Sequence, residues 1–507
     1  MPLLTDRYAD QIAGVLSCYD RLIITGTLPG VCYAEGMATY LRGHGFRLFD
    51  YPRFAEPLRD ALRQNAEQVA QEHGLTIEFI RSVGAFRKED RVRAILQQRG
   101  DQPGLVHIFS AMEPCPAFTP WHDKGTGTTT LRYKDGKCLH YYFYLIDPEF
   151  GLCYLRVPTW APFRLQFYCN GHHWLAGQLR QAGIPYEPLD NTFRVVGDFA
   201  RAQALADAFP IERLHRLLDR LAQRYCPVAA QFGVTYHWSL MQVEYATDLV
   251  FHRQADLRPL YEALVRTAIH AVKPDHVATF LGRQLTGHYR DELGNDFHTR
   301  LQGACLKHHM GPVAIKLYDK QALVLRIETT VNDVSFFRHH RTVEHKNGTT
   351  TTQLAPMQKT IYSLAPLRDL LRAANRRYLA FLSDLADPTA GVRQVEQLAA
   401  PKHQDGRSYR GFNPFAAADQ ALLLALARGE WHISGFRNAS LRRVLPGYTG
   451  AQLSRLLKRL HVHGLIKKVG HTYKYYLTQS GQQVVLTALK LRELVVIPSL
   501  AGLRPAA

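Results

Sequence analysis

"TGAQLSRLLKRLHVHGLIKKVGHTYKYYLT", residues 449–478, reads as a helix running into a two-stranded ribbon. Thr449 with Gln452 three positions on is a capping-box start. Leu453, Leu456, Leu457 and Leu460 recur at helical spacing on one face. Gln452, Arg455, Lys458 and Arg459 fall largely on the other. "LIKKVGHTYKYYLT" then alternates as a hairpin with Gly470 at its tip. Upstream, "AADQALLLALARGE" is a helix and "NASLRRVLPG" a shorter one stopped by Pro446 and Gly447; downstream, "SGQQVVLTALKLREL" closes the module. The expected order is helix, helix, basic helix, ribbon, helix.

That order resembles the MarR-like winged helix-turn-helix domains, down to the "RLHVHGLIKKVG…YYLTQSG" run. The resemblance implies that Ala451–His463 enters the major groove, presenting Gln452, Arg455, Lys458 and Arg459. It implies that Lys468, His471 and Lys474 on the wing meet phosphate or the minor groove. Charge agrees: residues 413–494 hold twelve Lys/Arg against three Asp/Glu, half of the chain's net +18. The plainer alternative is a winged helix used for protein contacts or RNA shape. His461 and His463, at a helix end, read as capping or surface residues rather than metal ligands.

A chain of 507 residues exceeds one core. Composition is that of a globular protein, with 46% hydrophobic and 21% charged residues. No apolar run reaches membrane-spanning length, and no secretory signal is visible, so a cytoplasmic protein is expected. The eight cysteines are scattered without a C-x-x-C pair, which suggests reduced thiols. The excess positive charge points to a polyanionic partner, DNA or possibly RNA. The fold class expected is α/β (mixed α+β) and multidomain: an N-terminal α/β region over 1–225, a central mixed-sheet domain over 226–399, a linker over 400–412 and the winged helix over 413–507. Within these, "TDRYADQIAGVLSCY" has a helical pattern, "RLIITGTL" a strand pattern, and "HVATFLG" reads as a strand.

"IKLYDKQALVLRIETT", 315–330, reads as two strands about a tight turn, with Lys316, Tyr318, Asp319, Lys320, Arg326 and Glu328 among the apolar residues. In "MQVEYATDLVF", Glu244 and Asp248 lie four apart, which on a strand puts both on one face. Glu244, Asp248 and Glu328 would repel one another when ionised. A divalent cation, Mg or Mn, would relieve that and polarise a phosphodiester. Tyr318 and Tyr289 supply candidate phenol nucleophiles. Cross-strand ion pairing of the same charges is the structural alternative.

Together, Glu244 and Asp248, Leu281-Gly282-Arg283, Lys316, Tyr318, Asp319, Lys320, Arg326 and Glu328 resemble, in their order, the replication initiators of rolling-circle plasmids and filamentous phages. The resemblance implies a tyrosine- and metal-dependent nick in one DNA strand. Phe280 departs from the pattern, since it stands where those initiators often carry tyrosine. Asp20, immediately before a strand, and Asp147, at a strand end, suggest an RNase H-like site, or else a turn or cap. The cluster His339, His340 and His345, with Arg338, Arg341 and Lys346, suggests phosphate contact. "VPTWAPFRLQFY", 157–168, interleaves aromatics with one Arg, a pattern that suits either stacking of single-stranded bases or a core edge. The expected function is a mobile-element or plasmid-type nickase, initiator or transposase. The alternative is a non-enzymatic transcription regulator or structured-RNA binder.

Overall fold

The computed structural model describes residues 3–81, 87–286, 289–300, 303–385, 398–413, 415–431, 435–470 and 472–497. The fold is mixed α/β, built on a large sheet. In chain order its strands are β1 (Ile12–Thr27), β2 (Ile77–Phe79), β3 (Gly104–Asp123), β4 (Thr128–Asp147), β5 (Gly151–Pro158) and β6 (Leu165–Asn170). A separate hairpin, β7 (Tyr186–Pro188) and β8 (Phe193–Val196), follows. The sheet resumes with β9 (His237–Phe251), β10 (Leu293–Arg300), β11 (Gly303–Met310), β12 (Val313–Lys320) and β13 (Val324–Val331). The hydrogen-bonded order is β10-β11-β12-β13-β9-β1-β6-β5-β4-β3-β2.

The chain packs into two compact units. One comprises Met1–Val15, Thr247–Thr329 and Leu371–Ala507; the other comprises Leu16–Ala246 and Thr330–Leu370. Both are discontinuous, so they do not follow the expected breaks at 225/226 and 399/400. Strands β1, β9 and β13 each contribute residues to both units.

The helix expected in "TDRYADQIAGVLSCY" is instead a short turn of helix, Leu4–Arg7, followed by the sixteen-residue β1. Ala9, Ile12, Ala13 and Leu16 mimic helical spacing. A strand flanked on both sides in a sheet and covered on both faces loses its alternation, and β1 is buried almost continuously from Leu16 to Ile24 apart from Arg21. "HVATFLG" is likewise a helix, Pro274–Phe280, and not a strand. Pro274 pre-sets its first turn, and His276 Nδ1 accepts from the Lys273 N–H at 3.1 Å. Leu281-Gly282-Arg283 therefore follows a helix, unlike the strand implied by the initiator resemblance.

The second unit carries the long antiparallel run β3-β4-β5-β6-β1. Helix Lys88–Arg99 covers part of one face, packing Val92, Ile95 and Leu96 on Phe109, Tyr142, Tyr144 and Tyr154. In the first unit, β12 and β13 form the hairpin of 315–330. Its turn places Gln321 (φ 50°) and Ala322 (φ 56°) in the left-handed region, as a two-residue type I′ turn demands. Asp319 Oδ2 accepts from the Ala322 N–H at 2.9 Å, which supports this turn without glycine.

The C-terminal elements are helices Ala417–Leu426, Asn438–Val444 and Gly450–Val462, a ribbon, and helix Gln479–Lys490. The Thr449–Gln452 capping box forms in both directions. Leu453, Leu457 and Leu460 enter a core with Leu423, Leu441, Ile466 and Val485. Within the expected linker, Lys402–Gln404 and Arg407–Tyr409 pair as a hairpin, and Phe412 is fully buried in the same core.

Candidate functional site

Strands β13, β9 and β1 are neighbours, and each carries one carboxylate of a cluster. One oxygen from each of Glu328, Glu244 and Asp20 lies within 4.8 Å of the other two. Asp20 and Glu328 are buried and Glu244 half-buried. Each is held by named partners. Asp20 Oδ1 accepts from Asn170 Nδ2 at 3.0 Å and lies 3.2 Å from His172 Nδ1, while Asn191 donates to Oδ2. Glu244 Oε1 accepts from Gln242 Nε2 at 3.2 Å and from the Thr330 hydroxyl at 3.4 Å. Glu328 accepts from Lys316 Nζ at 2.7 Å and from the Tyr318 hydroxyl at 2.6 Å. Three converging carboxylates are hard oxygen donors of the kind that suit Mg²⁺ or Mn²⁺. Lys316 brings one positive charge against their three negative ones, and Arg326 Nη1 lies 3.9 Å from Glu328 Oε2.

Asp248, expected as a ligand, is engaged elsewhere. Arg326 grips it through two hydrogen bonds of 2.6 Å, with both side chains essentially inaccessible. A bidentate guanidinium–carboxylate fork leaves that carboxylate little capacity for a cation. Glu244 and Asp248 share a strand, yet one faces carboxylates and the other an arginine. Tyr318 stands beside Glu328 as expected. Tyr289 does not: a side chain at Gly311 would touch its hydroxyl at 3.1 Å, and Gly311 precedes Tyr318 by seven residues, roughly 20 Å of extended strand. Burial pushes the Tyr289 phenol up from its ordinary pKa, and its hydroxyl has no hydrogen-bond partner among the described residues.

On helix Gly450–Val462, Gln452, Arg455 and Lys458 are exposed. Arg459 is not: it donates to both oxygens of Asp419 at 2.9 and 3.0 Å and to the Arg410 and Gly411 carbonyls at 2.9 and 2.6 Å. Its guanidinium lies 3.7 Å from the Phe412 ring centre. This arginine belongs to the core, and the polar face anticipated for it is one residue narrower. On the ribbon, Ile466–Lys468 with Tyr475–Leu477, Lys468 is exposed and Lys474 half-buried; His471 lies outside the described residues. The exposed Tyr473 ring sits 5.5 Å from Lys468 Nζ.

Arg338 and Arg341 lie on a separate hairpin, Arg338–Glu344 with Thr350–Pro356, and donate to the Leu354 and Pro356 carbonyls at 2.9 and 3.0 Å. Asp147 caps the β4–β5 turn, accepting from the Glu149 and Phe150 N–H groups at 2.9 Å each. Asp20 is the member of the cluster that spacing alone did not join to Glu244 and Glu328. Its signal was the charged residue set into the apolar strand "CYDRLIIT". No family model matches the chain, and no significant match was found among curated proteins or solved structures.

Proposed function

We propose that this chain is a nucleic-acid-processing protein that cleaves a DNA backbone with Mg²⁺ or Mn²⁺ held by Asp20, Glu244 and Glu328. The observation that carries the reading is the convergence of three carboxylate oxygens within 4.8 Å. Bound there, the cation would polarise the scissile phosphate and offset its charge. The chain's own residues do the rest. Asn170 and His172 fix the Asp20 carboxylate. Lys316, at 2.7 Å from Glu328, adds a positive charge beside an approaching phosphate. Tyr318 places a phenol oxygen at the cluster's edge; its attack on phosphorus, with the phenol proton passing to Glu328 and the P–O bond to one deoxyribose oxygen breaking, would leave a tyrosyl–DNA link and a free deoxyribose hydroxyl.

The C-terminal elements support a winged helix as the duplex-holding part, with Arg455, Lys458 and Lys468 toward phosphate and Gln452 toward base edges. A cutting sheet joined to a duplex reader fits a mobile-element or plasmid-type nickase, initiator or transposase. One observation favours a non-enzymatic regulator or structured-RNA binder instead: Glu328 already has Lys316 and Tyr318 as partners, so its charge is compensated without a cation.

Supercoiled DNA incubated with the protein and Mn²⁺ separates the readings. Nicked or protein-linked DNA that disappears with Glu244→Gln supports cleavage, and Tyr318→Phe tells a tyrosyl link from attack by water. No product on duplex, supercoiled or single-stranded DNA or RNA would leave the binder.

A further inference from the structure

Part of the stretch 157–168 lines a cavity of about 320 Å³ in the second unit, on the other face of the sheet from Asp20 and Glu244. Thr25 and Met241 line it from β1 and β9; they stand five and three residues from Asp20 and Glu244, odd spacings that reverse the face. Across its floor the strands register Arg156 with Gln166 and Gln166 with Thr25, a polar row. The loop above it is held in an unusual backbone. Phe163 is buried with φ 53°, and its carbonyl accepts from the Tyr236 hydroxyl at 3.0 Å. A bulky residue in the left-handed region costs energy and persists where surrounding packing enforces it. Trp160 and Arg164, from the same loop, line the cavity.

The charge of this place is positive. Glu113 is shared by Arg156, at 2.8 Å, and Lys88, at 3.6 Å. Arg164 is exposed and forms no ion pair among the described residues. His140 is buried and neutral near pH 7, its pKa lowered to about 4 by burial and then by Arg156. One anion therefore answers three cations, and the walls between them are a half-buried indole, prolines and the Met241 thioether.

We propose that this cavity binds a single nucleotide, its phosphate at Arg164, its base against Trp160 and Met241, and its edge on Gln166 and Thr25. The volume suits one small ligand and no duplex. Aromatic stacking with amide readout is how unpaired bases are recognised. The shared chemistry, a base with its phosphate, has two sources: a free nucleotide, or one unpaired nucleotide of a strand. The second source rests on the nucleic-acid reading above; the first does not.

The test uses the full chain in metal-free buffer, so cleavage plays no part in it. Anisotropy of a short fluorescein-labelled oligodeoxythymidine is competed with the four nucleoside 5′-monophosphates and with inorganic phosphate. Arg164→Ala and Met241→Glu, both at exposed positions, should each weaken binding roughly tenfold or more with melting unchanged. Competition by monophosphates assigns the free nucleotide; binding of the oligomer without such competition assigns the strand. The proposal is overturned if neither ligand's binding responds to either variant, or if inorganic phosphate competes as well as the nucleotides. A chain that fails to nick DNA yet binds here loses only the cleavage reading; one that nicks but binds no nucleotide loses only this one.

Discussion

Glu244 and Asp248 have the same residue class, strand and face, yet the structure gives them different work. Arg326 is wholly inaccessible; Asp248 grips it through both oxygens, and Glu328 stands 3.9 Å away. Asp248→Asn would leave this buried guanidinium only its longer contact to Glu328, so it should cost about 3–5 kcal/mol in urea unfolding. Glu244 is half-buried and meets an amide and a hydroxyl at 3.2 and 3.4 Å. Glu244→Gln should therefore unfold close to the wild type while losing cation binding. Saturating Mn²⁺ should raise the wild-type stability by about 2–3 kcal/mol at a hundredfold excess over Kd, and leave Glu244→Gln unmoved. Equal unfolding losses in the two variants would make Glu244 structural. Glu328→Gln belongs with Asp248→Asn, since Lys316 would lose its carboxylate. Strand periodicity places both β9 carboxylates on one face. It cannot say which meets arginine and which meets Asp20, because that depends on strands far apart in the chain.

At the scale of elements, local patterns are legible and neighbours are not. The capping box, the leucine face of Gly450–Val462 and the hairpin of 315–330 are local, and each forms as its spacing indicates. β1 and Pro274–Phe280 depart from their sequence patterns because short apolar stretches suit a buried strand and a helix alike. Arg459 departs for another reason: helical spacing puts it on the polar face, but its partner, Asp419, comes from a different helix. Three expectations concern the C-terminal elements. Arg455→Ala, Lys458→Ala and Lys468→Ala together should lower duplex affinity and reduce the salt slope by about one for each phosphate no longer neutralised, with the fold intact. Arg459→Ala should instead destabilise the module, leaving the buried Asp419 with only Arg410, at 3.7 Å, against its charge; an unchanged melt with a weakened salt slope would mean that this arginine contacts phosphate instead. A fragment beginning at Asn413 would lack Phe412 and the Arg410 and Gly411 carbonyls that Arg459 holds. It should melt below one beginning at Leu398, by differential scanning fluorimetry. Equal melts would show that the 402–409 hairpin and Phe412 are dispensable.

Over the whole molecule, the buried histidines govern tolerance of acid. His140 in one unit and His308 in the other are buried and neutral. Burial lowers the pKa of His140 to about 4 and that of His308 to about 3. His308 is further committed, with Asn295 Oδ1 at 2.7 Å and the Tyr378 hydroxyl at 2.8 Å on its two nitrogens. An unfolded histidine takes up its proton near pH 6.5. Below that pH the unfolded chain binds more protons than the folded one, so stability falls as pH drops toward the folded values. Each histidine should remove on the order of 2 kcal/mol by about pH 5. Carboxylates with lowered pKa, Glu113 and Asp333 among them, lose their contribution only below about pH 4.5, so they leave the window from about 6.5 to 5 to the histidines. His107 and His173 shift in the same direction and share that window. The His140→Gln, His308→Gln double variant should therefore show a flatter, not flat, dependence of unfolding free energy on pH between about 6.5 and 5. Urea melts at stepped pH measure this directly, and a slope equal to that of the wild type would mean that neither imidazole is held neutral by its surroundings.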